Sequence, residues 1–355
     1  MSRRLDETFR IPGPPRSETT RTESGRSRPL SAAEALERRE AVERAAEAGD
    51  PEARVELARR LLSEATHWTH NRRARRLLDR VLDEPATRTS NVRARALYLK
   101  GLTLLRGQGV PRDPETGARA VEAAAWAGVT EAEVDAARLA RLGLGRNASL
   151  EDALYWWRLA AAAGNLEAQR ETGRAYRDGL GTAVDFTQAA RWLGEAAEKG
   201  DSAAQYESAL LQLRRDNPDR DPAAARRWMK EAALSGNVDA QYRLGLFYWS
   251  GTGGSVNLRL AVRWLARAAE GESARAAATL AGLFLTGNVF ELNRLHAWIL
   301  LQRAKALGDP TADATALGLK DLLDPRERSE GRKLLKRCPD TKSLLEALLP
   351  KNWKR

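Results

Sequence analysis

Few side chains in this 355-residue chain stand at spacings that could do chemistry. His67 and His70 lie three apart in His67-Trp68-Thr69-His70, a spacing that lets two imidazoles on a helix share a metal ion. No third ligand stands nearby and the segment reads as a loop, so no metal is expected. The single cysteine, Cys338, has no histidine near it in sequence, and a thiol nucleophile needs a base. Gly251-Thr252-Gly253-Gly254-Ser255 has the glycines of a phosphate loop, but neither the preceding strand nor the Gly-Lys-Ser or Gly-Lys-Thr ending. His296 stands beside Trp298 on a helical stretch and reads as a packing variant. Carboxylates are plentiful, but they are spread over what read as solvated helix faces. Enzymatic activity and a resident cofactor are not expected.

Tryptophan is the residue whose spacing is informative. Trp156, Trp192, Trp228 and Trp264 each stand 36 residues from the last. Ala153, Ala189, Ala225 and Ala261 keep the same step, as do the Ala-Ala pairs that begin at Ala160, Ala196, Ala232 and Ala268. Several positions stepping together mark an internal repeat. A ladder of four aromatic rings could stack bases or sugars. These four occupy one position of an otherwise apolar helix stripe, however, where packing between units is the simpler role. Trp157 and Trp249 lie off the ladder and are the tryptophans expected at the surface.

The elements that carry the ladder are helices. In Asp185-Phe-Thr-Gln-Ala-Ala-Arg-Trp-Leu-Gly-Glu-Ala-Ala-Glu-Lys-Gly200, the apolar positions Phe186, Ala189, Ala190, Leu193, Ala196 and Ala197 follow the i, i+3, i+4 rhythm of one buried face. Gly128, Gly164, Gly200, Gly236, Gly271 and Gly308 close successive units at steps of 36, 36, 36, 35 and 37. Each suits a left-handed C-cap, usually followed by Asn, Asp or Glu as the next N-cap. A first helix typified by 167–177 and a glycine loop precede the tryptophan helix.

The repeated pattern is Gly-[Asp/Asn]-x-x-Ala-[Gln/Arg], a small residue mid-helix, Gly-x-Gly, then Ala-x-x-Trp-x-x-x-Ala-Ala. It resembles the Sel-one-like repeat family, relatives of the tetratricopeptide repeats. The matching residues include Gly164-Asn165 with Ala168-Gln169, Gly200-Asp201 with Ala204-Gln205, and Gly236-Asn237 with Ala240-Gln241. The loop signature stands at Gly107-Gln108-Gly109, Gly143-Leu144-Gly145, Gly179-Leu180-Gly181 and Gly251-Thr252-Gly253. One unit departs from it, since 214–220 is a charged segment without glycine. The resemblance implies an all-α, right-handed α/α solenoid of about seven to eight repeats, with no chemistry of its own. Some relatives with this repeat are β-lactamase-like, but this chain lacks their cysteines and a Ser-x-x-Lys nucleophile.

The organisation expected is a disordered Arg- and Pro-rich arm over 1–30, degenerate capping repeats over 31–91, the array over 92–308, and capping helices with a basic tail over 309–355. Phe9-Arg10-Ile11-Pro12 is the arm's one hydrophobic point, a docking motif or a solvated tail. In such solenoids the first helices line a concave groove. The recurring polar positions there are Gln169, Arg170, Gln205, Tyr206, Gln241, Tyr242 and Arg243, a set suited to a protein partner. An alternative for the glutamines is that their amides only bond backbone between units.

Net charge is +11, placed unevenly. Residues 1–30 hold seven Arg against four acids, and 325–355 hold ten Lys and Arg against four acids. Basic ends favour acidic partners and keep nucleic acid as the rival to a protein partner. Ser2-Arg3-Arg4 opens like a twin-arginine signal, but charged residues follow where an apolar segment is required. No apolar run approaches a membrane span. Together with a lone cysteine, these features lead us to expect a bacterial, cytoplasmic protein; a secreted effector is the remaining alternative.

Overall fold

The computed structural model describes Phe9, residues 19–21 and 27–29, and residues 31–64, 68–87 and 90–350. Thr19–Arg21 (β1) pairs antiparallel with Ser27–Pro29 (β2), Thr20 opposite Arg28. The arm expected to be disordered thus contains a short ladder, favoured locally by two β-branched threonines, and Phe9 is buried. The rest of the arm, including Arg10-Ile11-Pro12, lies outside the described residues, as do His67 and the tail 351–355.

All other regular structure is helical. The chain packs as two compact units, 1–184 and 185–355. The first holds α1 (Ala32–Ala48), α2 (Pro51–Ser63), α3 (Trp68–Asp83), α4 (Asn91–Arg106), α5 (Pro114–Trp126), α6 (Thr130–Leu142), α7 (Leu150–Ala162) and α8 (Leu166–Asp178). The second holds α9 (Phe186–Glu198), α10 (Ser202–Leu211), α11 (Pro222–Leu234), α12 (Val238–Ser250), α13 (Leu258–Glu270), α14 (Ala274–Thr286), α15 (Arg294–Ala306), α16 (Ala312–Leu322), α17 (Pro325–Arg337) and α18 (Thr341–Leu348). The expected capping box at Ser31 and Glu34 forms, and Gly49 ends α1 in the left-handed region. His70 belongs to the first turn of α3, so this stretch is helix where the sequence read as loop.

Most of these helices begin where a short polar side chain accepts from a backbone amide two or three residues on in sequence; α6, behind Val129, and α16, behind Thr311, have no such cap. Asp113, Ser149, Asp185, Asp221, Asn257 and Asn293, at strict steps of 36, accept from the amides at the starts of α5, α7, α9, α11, α13 and α15. The Ala-Ala pairs are buried in every repeat and let neighbouring helices approach closely. Trp156, Trp192 and Trp264 are buried and Trp228 half-buried, in agreement with packing. Trp157 is only 3% exposed, contrary to the surface position expected, because it lies on the same inward side of α7 as Ala153, Ala160 and Ala161. Trp249 is half-buried against the unit's core. The exposed tryptophans among the described residues are instead Trp68, at the start of α3, and Trp126, at the end of α5, whose ring lies 4.7 Å from Trp156 and 5.6 Å from Tyr155. Ala190, placed on the buried stripe by periodicity, is exposed.

Two details of the repeat differ from its sequence reading. Gly271 does not take the left-handed cap; its φ is −77°, and Glu272 occupies that conformation at +65°. Glu272 stands 36 residues after Gly236 and 36 before Gly308, so the backbone keeps a constant period where the glycines show 35 and 37. The second glycine of each Gly-x-Gly loop, in turn, seats the loop on the preceding tryptophan-type helix. A Cβ on Gly145, Gly181 or Gly253 would lie 2.0, 2.3 and 2.0 Å from the carbonyl oxygens of Pro114, Leu150 and Pro222. The charged loop after α10 has no such seat. Asn217, at the equivalent position, is buried and donates to the Leu211 carbonyl at 3.0 Å, while its own Oδ1 accepts from Asp219 N at 3.0 Å. That loop closes on itself, and α10 is 10 residues long against 13 for α8 and α12.

Candidate partner-binding surface of the first helices

The first helix of each repeat carries two neighbouring polar columns that follow the 36-residue step. One runs through Tyr98, Val134, Arg170, Tyr206 and Tyr242, the other through Asp135, Glu171, Glu207 and Arg243. Arg170, Gln241, Tyr206, Tyr242 and Arg243 are half-buried, so each keeps an accessible part. Arg243 Nε donates to the Tyr206 hydroxyl at 2.7 Å, and the guanidinium also lies 5.7 Å from the ring centroid. This double contact holds α10 and α12 side chains in one orientation, with phenol and guanidinium fixed beside each other.

The glutamines have a different task. Gln169 is 2% exposed, and its amide donates to the Ala161 carbonyl at 3.2 Å. Gln205 is likewise buried and donates to Ala197, and Gln241 donates to Ala233. Each amide ties the start of a first helix to the end of the preceding helix, eight residues back. The backbone-bonding alternative fits their placement; Gln169 and Gln205 are buried, and the accessible members of the predicted set are Arg170, Tyr206, Tyr242, Arg243 and, in part, Gln241.

In the first unit the same columns form a buried network that the sequence reading did not single out. The Tyr98 hydroxyl donates to Asp135 at 2.8 Å, Arg138 donates to Asp135 at 2.8 Å, and Arg138 also holds Glu167 at 2.5 Å. The network bridges α4, α6 and α8. Burial pushes the Asp135 carboxyl up to about 6, although Arg138 and Tyr98 favour its charged form. Burial, followed by the Asp135 charge, raises the Tyr98 phenol well above its ordinary value. The signal was present in sequence, since Tyr98 precedes Tyr206 by three repeat steps and Asp135 precedes Glu207 by two. A cleft of about 670 Å³ opens beside Tyr98, lined by Glu56 and Arg59 of α2, Arg95 of α4, and Val129 and Glu131 at the start of α6.

One substitution in the glutamine slot stands out. Glu133, 36 residues before Gln169, is 8% exposed, and its Oε2 has no hydrogen-bond partner. Burial, reinforced by Glu131, raises its pKa.

The features weighed as chemical sites do not assemble into one among the described residues. No group of three or more metal-ligating side chains occurs there. Cys338 is buried at the end of α17, and its carbonyl accepts from Arg303. His296 packs edge-on against Phe284 at 5.2 Å, and burial lowers its pKa. The glycines at 251 and 253 form the repeat's loop. No described helix is long and apolar enough to cross a membrane.

Comparison with known proteins agrees with the repeat. The Sel1 repeat family matches residues 94–119, 131–165, 166–201, 202–237, 238–273 and 274–309, more than half of the chain. The Sel1 repeat protein from Oxalobacter formigenes is 24% identical with a TM-score of 0.54, covering 66% of this chain and 92% of its own. The protective antigen c5321 of uropathogenic Escherichia coli, which displays an SLR fold, is 22% identical with a TM-score of 0.56, covering 87% of this chain and 72% of its own. At these identities the likeness speaks for the fold. No curated protein matches the chain. With six matched units, a constant backbone period and the inter-helix glutamine ties, this all-α solenoid chain belongs to the Sel1 repeat family.

Proposed function

We propose that this protein is a non-enzymatic adaptor of the bacterial cytoplasm that binds a protein partner across the accessible polar columns of its first helices. Sel1 repeat proteins are generally scaffolds for protein–protein interaction, and the solved relatives named above are bacterial. The observation that carries the reading is the Tyr206–Arg243 pair. A phenol and a guanidinium held at 2.7 Å and left half-accessible offer contact area with little side-chain entropy left to lose. Tyr and Arg are the residue types that dominate binding energy at protein interfaces. Tyr242 extends the same column within the second unit, and Arg170 stands at the equivalent repeat position of the first.

The test is capture from native lysate with the tagged protein, identified by mass spectrometry, against the triple variant Tyr206→Ala/Tyr242→Ala/Arg243→Ala. Loss of a hot-spot residue costs about 2 kcal/mol or more, so the variant should bind at least about 30-fold more weakly at unchanged helicity. Capture at wild-type strength by a well-folded variant would refute the proposal.

A further inference from the structure

A strongly basic surface of the second unit lies far in sequence from the columns above, on α17. Its sequence, Pro325-Arg-Glu-Arg-Ser-Glu-Gly-Arg-Lys-Leu-Leu-Lys-Arg337, divides cleanly by face. Gly331 is buried, and a Cβ there would lie 2.7 Å from the Trp298 ring and 3.1 Å from Leu295 of α15. Leu334 and Leu335 pack beside it on the same core. At 100° per residue, the opposite arc presents Arg326, Arg332, Lys333, Lys336 and Arg337, all exposed, with Glu330 as its one acid. None of these five cations makes an ion pair among the described residues. Elsewhere exposed arginines are commonly paired, as Arg119 is with Glu115 and Arg191 with Glu195.

We propose that this face of α17 binds the phosphodiester backbone of a double-stranded nucleic acid, without reading its bases. The arc is about 16 Å long from Arg326 to Arg337 and about 140° wide, a band of unpaired charges fixed to a packed helix. A duplex presents about one phosphate charge per 1.7 Å of axis, so every cation along the row can meet a phosphate. A bilayer surface is disfavoured because the arc carries no apolar residue to insert, and α17's two leucines face the core. A protein interface is disfavoured because its centre is ordinarily poor in charge and anchored by aromatic or aliphatic side chains, which the arc lacks. No aromatic residue stands on α17 to stack an unpaired base, which favours duplex over single strands. The site is independent of the adaptor surface.

The experiment measures binding of the full-length protein to fluorescein-labelled duplex DNA and duplex RNA of about 20 base pairs by anisotropy, from 50 to 200 mM salt. If all five cations engage phosphates, log K falls against log salt with a slope near −4.5, a loss of about 500-fold across that range. The five-fold glutamine variant, Arg326→Gln, Arg332→Gln, Lys333→Gln, Lys336→Gln and Arg337→Gln, should abolish binding. A control neutralises the exposed Arg158, Lys199, Arg227, Lys230 and Arg263 instead, with the same change in net charge, and should retain most of it. The exchange variant, with Arg and Lys swapped at the five α17 positions, should bind like wild type and guards against loss through misfolding. Equal losses in the glutamine and control variants would overturn the proposal. So would the absence of duplex binding at 50 mM salt, capture by phosphatidylserine vesicles in place of duplex, or displacement of the duplex by poly-glutamate at equal charge.

Discussion

Replacing Glu133 by glutamine should stabilise the protein, and more at pH 8 than at pH 4. In the next three repeats this slot holds Gln169, Gln205 and Gln241, whose amides donate to carbonyls at 3.1–3.2 Å. The acceptor equivalent to Ala161 is the carbonyl of Ala125, which accepts from Gly128 N at 2.9 Å, as Ala161 does from Gly164 N. An ionised Glu133 has no proton to offer that carbonyl, and its Oε2 is buried without a partner. Leaving such a group unsatisfied costs about 1–3 kcal/mol, and the new amide bond adds about 1 kcal/mol. A total gain of about 2–4 kcal/mol at pH 8 is therefore expected. The folded-state pKa is raised above the ordinary 4.5, so the folded chain holds this proton more tightly than the unfolded one. Stability from this group is thus lost as pH climbs from 4.5 through the raised value. Below 4.5 the acid is mostly protonated in the folded chain and can itself donate, so the advantage of glutamine should shrink at pH 4. Asp135 also titrates in this range, near 6, but it is present in both proteins and cancels in the difference. Urea unfolding followed by far-UV circular dichroism at the two pH values measures the gain, and hydrogen exchange over α5 and α6 locates it. An equal gain at both pH values, or destabilisation at pH 8, would refute the reasoning.

Other substitutions probe the repeat's backbone. Glu272→Gly should raise stability by about 0.5–1 kcal/mol, because a non-glycine residue at φ +65° bears a left-handed strain that glycine avoids; a lower urea midpoint would refute it. Gly253→Ala should cost more than about 2 kcal/mol, since it adds a clash 2.0 Å from the Pro222 carbonyl to the same left-handed strain. Gly200→Ala, at φ +86° with nothing within 4 Å of the new methyl, should cost only about 1–2 kcal/mol. Similar losses for the two would show that the loop seat contributes nothing. Trp126→Ala should remove about 0.5–1.5 kcal/mol of aromatic contact with Tyr155 and Trp156, measured by thermal unfolding.

The architecture could be read from spacing because each repeat reuses the same local physics. An Ala-Ala pair, a capping Asp or Asn and a tryptophan recur wherever helices must meet, and the step of 36 carries them through the array. Periodicity failed where burial is decided by neighbours beyond the helix itself. Trp157 looked free because it lies off the ladder, yet α7 is covered on that side too; Trp126 was unremarked because no other repeat has an aromatic residue there. The polar columns were visible in Tyr206, Tyr242 and Arg243. Their continuation through Tyr98 and Asp135 keeps the same step but was passed over, because Val134 breaks the tyrosine column between Tyr98 and Arg170 and spacing does not show which members are buried. For Gly271 the residue type misled, and only the backbone shows that Glu272 holds the period.

The loop around Asn217 gives the array uneven mechanics. Where a glycine loop rests on its predecessor, sliding one helical pair past the next requires lifting backbone off backbone. At Asn217 the loop is tied to itself through Leu211 and Asp219, so the junction of α9, α10 and α11 lacks the glycine seat and keeps the Gln205 tie to Ala197 and side-chain packing. Treated as a spring, the second unit has its softest coil there, next to Tyr206. Bending imposed by a bound object concentrates at that coil, and changes the separation of Tyr206 from Arg243 before it disturbs any other pair in the column.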